Sequence, residues 1–395
     1  MTLHRRTLLK TGLALPVAPM ASLIPASAWA AESLNPTPGR FVLIFLRGGF
    51  DGLFAFAPME PSLAELRPTL ARALLDEGLP LGQTGFAAHP AARELAQLFS
   101  QGELAFAPSA GTVDSSRSHF QAQDLFELGT GAIQGPTGFM TRAATHLSAG
   151  SGAISFTREI PLVFRGGDMP PAVAPLSGSG LKLPPGRLLE ALRAAHQGQA
   201  SGQALEQALA TQAEIDMSAG MDPSASRGAP GSSGLARSMD TMGRMLRNNR
   251  RMSLAFMDIG GVDTHAGEEA VLTRLLASLG EGLLALRSAL GETEWLRTRV
   301  AVLTEFGRTV RENGTRGTDH GHGSLCLIGG GGLNASGMLG GFDGLAAKAL
   351  NDGRDLPVRA DWRDLLAATM REPCGLDDTA LERIFPGRPR QKFRV

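Results

Sequence analysis

Phe41-Val42-Leu43-Ile44-Phe45-Leu46 is an unbroken apolar run stopped by Gly48-Gly49. Apolar side chains at every position, rather than at alternate ones, imply burial on both faces, as in a strand of a parallel sheet. Leu104 to Ala107, Ser253 to Met257, Val300 to Leu303 and Ser324 to Ile328 are further short apolar runs and are predicted as strands. Helical patterns separate them. His89 to Gln101 is one, ended by Gly102, and Ser118 to Leu128 and Gly138 to Leu147 are two more. Ala266 to Leu290 carries Leu272, Leu275, Leu276, Leu279, Leu283 and Leu286 at helical spacing. Strands alternating with helices argue for an open, mostly parallel α/β sheet. Ligands of such sheets bind beyond the carboxyl ends of the strands.

Polar groups gather at those ends. Asp51 follows the first run, Asp263 and His265 follow the Ser253 run, and Glu305 follows Leu303-Thr304 with Arg308 three residues on. On an extended segment Asp263 and His265 point the same way and can reach one ion. Asp263 also suits the cap of the long helix. Asp319-His320-Gly321-His322 lies between glycines, and three of the eight His fall in these two short segments. Imidazole with carboxylate is the chemistry of a divalent-metal site: Zn, Mn or Fe for mixed donors, Mg or Ca for carboxylate-rich ones. The sequence does not choose between His320 and His322 as ligand. Asp51 reads as a ligand or a turn residue. Glu305 reads as a ligand or base, with Arg308 a clamp for an anionic substrate, or the two form a turn-holding pair. Ser118 is either the N-cap of its helix or a nucleophile at a helix N-terminus, with His119 a partner or a packing residue. No Ser lies in a Gly-x-Ser-x-Gly elbow, which argues against an α/β-hydrolase esterase.

The chain has 395 residues and a formal net charge of zero, so charge gives no reason to expect nucleic acid or an anionic membrane as partner. Its two cysteines, Cys326 and Cys374, make no disulfide framework. Residues 1–30 read as an export signal: Arg5-Arg6 opens it, a mild apolar stretch follows, and Ala28-Trp29-Ala30 closes it. The stretch is interrupted by Pro16, Pro19 and Pro25 and is too short and polar to span a membrane. The expectation is a periplasmic or secreted protein passed through the twin-arginine machinery, with no transmembrane span in the mature chain. Residues 31–395 are expected to form one domain. Residues 150–235, which include a Gly/Ser/Pro-rich loop from Met221 to Gly234, are expected as a cap or insertion.

Taken in order, Arg47-Gly48-Gly49-Phe50-Asp51-Gly52, Ser118-His119-Phe120, Asp263-Thr264-His265, Thr304-Glu305-Phe306-Gly307-Arg308-Thr309 and Gly317-Thr318-Asp319-His320-Gly321 resemble the DUF1501 family of exported bacterial proteins. Arg371 to Arg388, with Phe385-Pro386-Gly387, resembles its C-terminal end. That family is in turn similar to the alkaline phosphatase and sulfatase superfamily. The resemblance implies a three-layer α/β/α sandwich with a mostly parallel, alkaline-phosphatase-like sheet and a two-metal site. In that scheme Ser118 is the nucleophile. Asp263, His265 and His320 or His322 hold one ion, and Asp51 and Glu305 the other. Arg47 or Arg308 binds substrate oxygens. Glu305 is followed by Phe306 where the superfamily often has Asp-His, so one imidazole is missing, and Asp319 or His322 is the expected compensation. No Cys/Ser-x-Pro-x-Arg nucleophile of sulfatase type is present. The implied activity is metal-dependent hydrolysis of a phosphate or sulfate ester, on a small molecule or polymer. The alternative is a non-catalytic binding or surface-assembly protein with a degenerate metal site.

Overall fold

The structure, a computed structural model, describes residues 39–112, 116–167, 171–173, 186–199, 202, 205, 206, 209, 234–333 and 337–395. The expected export signal and most of the expected Gly/Ser/Pro-rich loop lie outside the described residues. In chain order the strands are β1 (Arg40–Leu46), β2 (Phe56–Pro58), β3 (Leu79–Pro80), β4 (Phe86–Ala88), β5 (Leu104–Gly111), β6 (Gly152–Ser155), β7 (Ala172–Val173), β8 (Met252–Ile259), β9 (Thr298–Thr304), β10 (Ser324–Gly329), β11 (Gly337–Met338) and β12 (Ala360–Asp361). The helices that matter most here are α1 (Arg93–Ser100), α2 (His119–Leu128), α3 (Gly234–Asn248), α4 (Glu268–Leu296) and α5 (Trp362–Arg371).

Among the described residues the main sheet has nine strands in the order β11-β5-β10-β9-β1-β8-β6-β7, with β12 also paired to β5. β1 lies at its centre, parallel to both β8 and β9. β6 continues parallel to β8. β10 runs antiparallel to both β9 and β5. One strand therefore opposes an otherwise parallel sheet. β2, β4 and β3 form a separate small antiparallel sheet.

The full burial of β1 explains its composition. Val42, Ile44 and Leu46 belong to one core, shared with Leu95 and Leu98 of α1, Met239 and Met242 of α3, and Leu272, Leu276 and Leu283 of α4. Phe41, Leu43 and Phe45 belong to a second core, with Phe126 of α2 and Trp362 and Leu365 of α5. Successive side chains of a strand point to opposite faces, so an all-apolar strand needs helices on both sides. The result is a three-layer α/β/α sandwich, in one compact unit from Pro38 to Val395.

Two expectations change. Residues 152–155 and 172–173, expected in a cap, instead extend the main sheet as β6 and β7, because Ile154 packs into the first core beside β8. The long helix also runs further than its leucine pattern, to Leu296, across a break at Gly291, where φ is 74°. Among the described residues no helix is long and apolar enough to cross a membrane.

Candidate metal centre

The C-terminal ends of β1, β8 and β9 share one edge of the sheet. From them spring the segments holding Gly48, Asp263 and Glu305. β5 points the same way, and His119 opens α2 just beyond it. Because β10 runs backwards, the loop before it, with Asp319 and His320, reaches the same edge. Gly48 is at φ 129°, and a Cβ there would stand 2.7 Å from the Asp263 backbone nitrogen. Only glycine lets these two segments meet.

Three imidazoles and a carboxylate converge. Nε2 of His320 lies 3.1 Å from Nε2 of His119 and 3.0 Å from Nε2 of His265. The Asp263 carboxylate is 3.4 Å from His320, 3.0 Å from His265 and 3.5 Å from His119, in each case at Nε2. Ligand atoms of His119, Asp263 and His320 all fall within 4.8 Å of one another. The other ring nitrogen of each His is already engaged. Nδ1 of His119 donates to Glu305 at 2.8 Å, Nδ1 of His320 donates to the Arg117 carbonyl at 3.0 Å, and Nδ1 of His265 faces Asp319 at 3.3 Å. A carbonyl can only accept, so His320 carries its proton on Nδ1 and turns a lone pair into the cluster. Donors held about 2.0–2.1 Å from a tetrahedral ion stand about 3.3–3.4 Å apart, close to the separations here. An imidazole whose outer nitrogen is fixed by a carboxylate or carbonyl is how proteins orient metal ligands. The residues present therefore fit a divalent ion.

The electrostatics agree. The hydrogen bond to Glu305 holds the His119 pKa above its ordinary value, against partial burial. Burial lowers that of His320, keeping the ring neutral and a competent donor. Burial works against ionisation of Asp263, but Arg308, 2.5 Å away, overrides it and holds the carboxyl below its usual range. Side chains of Asp263 and His265 are 45% and 46% exposed, so the cluster is open to solvent on one side. Openness is what separates an exchangeable site from a closed structural one.

The model of the family described as "Protein of unknown function (DUF1501)" matches residues 185–393, more than half of the chain. The chain belongs to the DUF1501 family. Comparison with curated proteins found no match. Similar solved structures include an alkaline phosphatase from the Antarctic bacterium TAB5, at TM-score 0.34 and 11% identity, covering 76% of this chain and 94% of that one. A mutant of the same enzyme with Mg bound is similar at TM-score 0.35, with the same identity and coverage.

In this DUF1501 chain the other expected site residues take different places. Asp51 is buried away from the imidazoles. Arg67 grips both its oxygens, at 2.5 and 3.1 Å, and the Leu53 amide donates to it as a helix cap. Glu305 is also sealed, accepting from the Gly48 amide, Thr304, His119 and Gln123. Both carboxylates are engaged by protein donors, and Glu305 orients His119. Arg308 does not clamp a substrate anion. Its side chain is fully buried and donates to the carbonyls of Gly48, Gly49 and Thr318 and to Asp263, tying the segments together. Arg47 is likewise consumed by Glu127 and Asp258. His322 turns from the cluster to buried Asp355, 2.5 Å away, which separates it from His320. Asp319 braces His265. Ser118 stands at the N-cap of α2 but makes no side-chain capping bond.

Sequence reasoning did not place His119 in the imidazole cluster. The available signal was a His opening a helix in the segment that follows a buried strand. It gave no sign of Arg67 or Glu268. Glu268 donates no charge to its helix N-terminus; burial, and then the neighbouring Asp51 carboxylate, push its pKa up to about 9, so it holds a proton at neutral pH. Thr318 donates to its Oε2 at 2.7 Å. Oε1 has no protein donor among the described residues, and a proton there suits the adjoining Asp51.

Proposed function

We propose that the chain is an exported divalent-metal-dependent hydrolase of a phosphate or sulfate ester, with His119, Asp263 and His320 holding the ion and His265 at its edge. The observation that supports this is the convergence of oriented imidazoles on one half-exposed carboxylate at the ligand-binding edge of the sheet. Of Zn, Mn, Mg and Ca, an imidazole-rich donor set favours Zn first, with Mn ahead of Mg and Ca. A bound ion would supply Lewis acidity to an ester oxygen. Ser118 adjoins His119 at the start of α2, where backbone N–H groups favour an anion, and its hydroxyl is not used as a cap. In this reading Ser118 Oγ bonds to phosphorus or sulfur and the alcohol leaves with a proton. Water then frees the serine and the inorganic anion. The ester class itself rests on the resemblance of the motifs, and export on the twin-arginine pattern of residues 1–30. The test is turnover of aryl phosphate and aryl sulfate esters by the exported, metal-loaded chain, with a chelator, His320→Ala and Ser118→Ala as controls. Loss of turnover in all three supports the reading; metal-loaded protein that hydrolyses neither ester sinks it.

One observation favours the second reading, a non-catalytic binding or surface-assembly protein. Asp51 and Glu305, the residues expected to hold one of the two ions, are engaged by protein donors. Metal binding without turnover, unaltered by Ser118→Ala, is its signature.

A further inference from the structure

The geometry points to one divalent ion per chain rather than two among the described residues, with the guanidinium of Arg67 standing permanently where a second cation would balance Asp51. This rests on the metal-centre reading above and sharpens it.

A second ion would need Asp51 and Glu305, and both are taken. Asp51 is 1% exposed, and its oxygens receive Arg67 Nη1 and Nη2 and the Leu53 amide. Arg67 is 1% exposed and cannot swing aside easily. Its Nε donates to the Val310 carbonyl at 2.7 Å and its Nη2 to the Thr309 carbonyl at 2.8 Å, so the planar fork is held from several sides. An ion reaching Asp51 would have to expel a buried guanidinium and leave those carbonyls unpaired, or sit against a like charge in a poorly screened interior. Glu305 offers no alternative. Its side chain is wholly buried and both oxygens already accept hydrogen bonds. The charge around Asp51 is also balanced as it stands, by the Arg67 guanidinium that both its oxygens face. The open cluster at Asp263 has the opposite character, being half exposed and rich in nitrogen lone pairs. The consequence for the chemistry is that the fold around Asp51 is neutralised from within and does not depend on metal supply, whereas the outer cluster does.

The experiment is metal stoichiometry on the full exported chain. Protein is loaded with Zn or with Mn, desalted, and assayed by elemental analysis and X-ray absorption. One equivalent is expected, with no metal–metal scattering at ~3.5–4 Å, the separation of two-metal hydrolytic sites. That equivalent should disappear in His320→Ala and persist in Asp51→Asn. Two equivalents in the wild type overturn this inference and leave the metal-centre reading standing. No equivalent of either metal overturns both. Should Asp51→Asn fail to fold, the wild-type count and the scattering distance decide alone.

Discussion

Replacing Glu268 by Gln should flatten the pH dependence of stability between pH 6 and 8. In the folded chain this acid titrates at about 9, from an ordinary value of 4.5, because it is buried and faces the Asp51 carboxylate. Its folded value is raised, so its contribution is fully present below 4.5 and is lost as pH rises through 9. Between these limits the unfolded chain has released a proton that the native chain keeps. Stability then falls with pH by at most about tenfold in the unfolding equilibrium per pH unit, or at most roughly 3 kcal/mol from pH 6 to 8. Glu268 and Asp51 titrate as a pair, so this is an upper figure for the pair rather than for one residue. The amide of the Glu268→Gln variant can still accept from Thr318 and offers Asp51 an N–H in place of the acid proton. Urea unfolding of both proteins at pH 6, 7 and 8 gives the comparison. Titration of His119 and His320 affects both proteins alike and cancels in the difference. The variant should gain on the wild type steadily with pH. Parallel profiles would refute the claim that Glu268 is held protonated.

Other outcomes follow from the centre. Glu305→Gln removes the carboxylate that orients His119 and should weaken Zn binding about 10–100-fold in competition titrations; unchanged affinity would mean that His119 is not a ligand. The raised His119 pKa makes protons strong competitors, so Zn affinity should fall as pH drops from 8 to 6, and a flat profile would count against that ring. Arg308→Lys cannot reproduce the fork across Gly48, Gly49, Thr318 and Asp263 and should cost about 3–5 kcal/mol in chemical denaturation, whereas a near-neutral change would show the network to be dispensable. Gly48→Ala forces a side chain into φ 129° against the Asp263 amide, and should cost at least about 1–3 kcal/mol and lower metal affinity with it.

Much of this was legible in the chain itself. Continuous apolar runs marked the strands, and leucines at helical spacing marked α4, because burial leaves its period in local sequence. Asp263, His265 and His320 were legible as a chemical group because uncommon residue types were concentrated beside strand ends. Asp51 and Glu305 were read as ligands on the same grounds, but the structure turns Asp51 to Arg67, and Glu305 to His119, Gln123 and the Gly48 amide. A carboxylate at a strand end looks the same whether it faces solvent or a guanidinium, and Arg67 carries no mark of its destination.

What the sequence alone determined is therefore the layered α/β scaffold and the edge at which chemistry would gather. Only the tertiary structure decided which residues meet there. The reversal of β10 turns the His320 loop to the working edge, and strand direction depends on pairing with β5 and β9 rather than on local composition. His119 and His320 face each other across 201 residues of chain. A helix-opening histidine joins the imidazole cluster, and Asp51 turns to Arg67 instead, through contacts that no local period encodes.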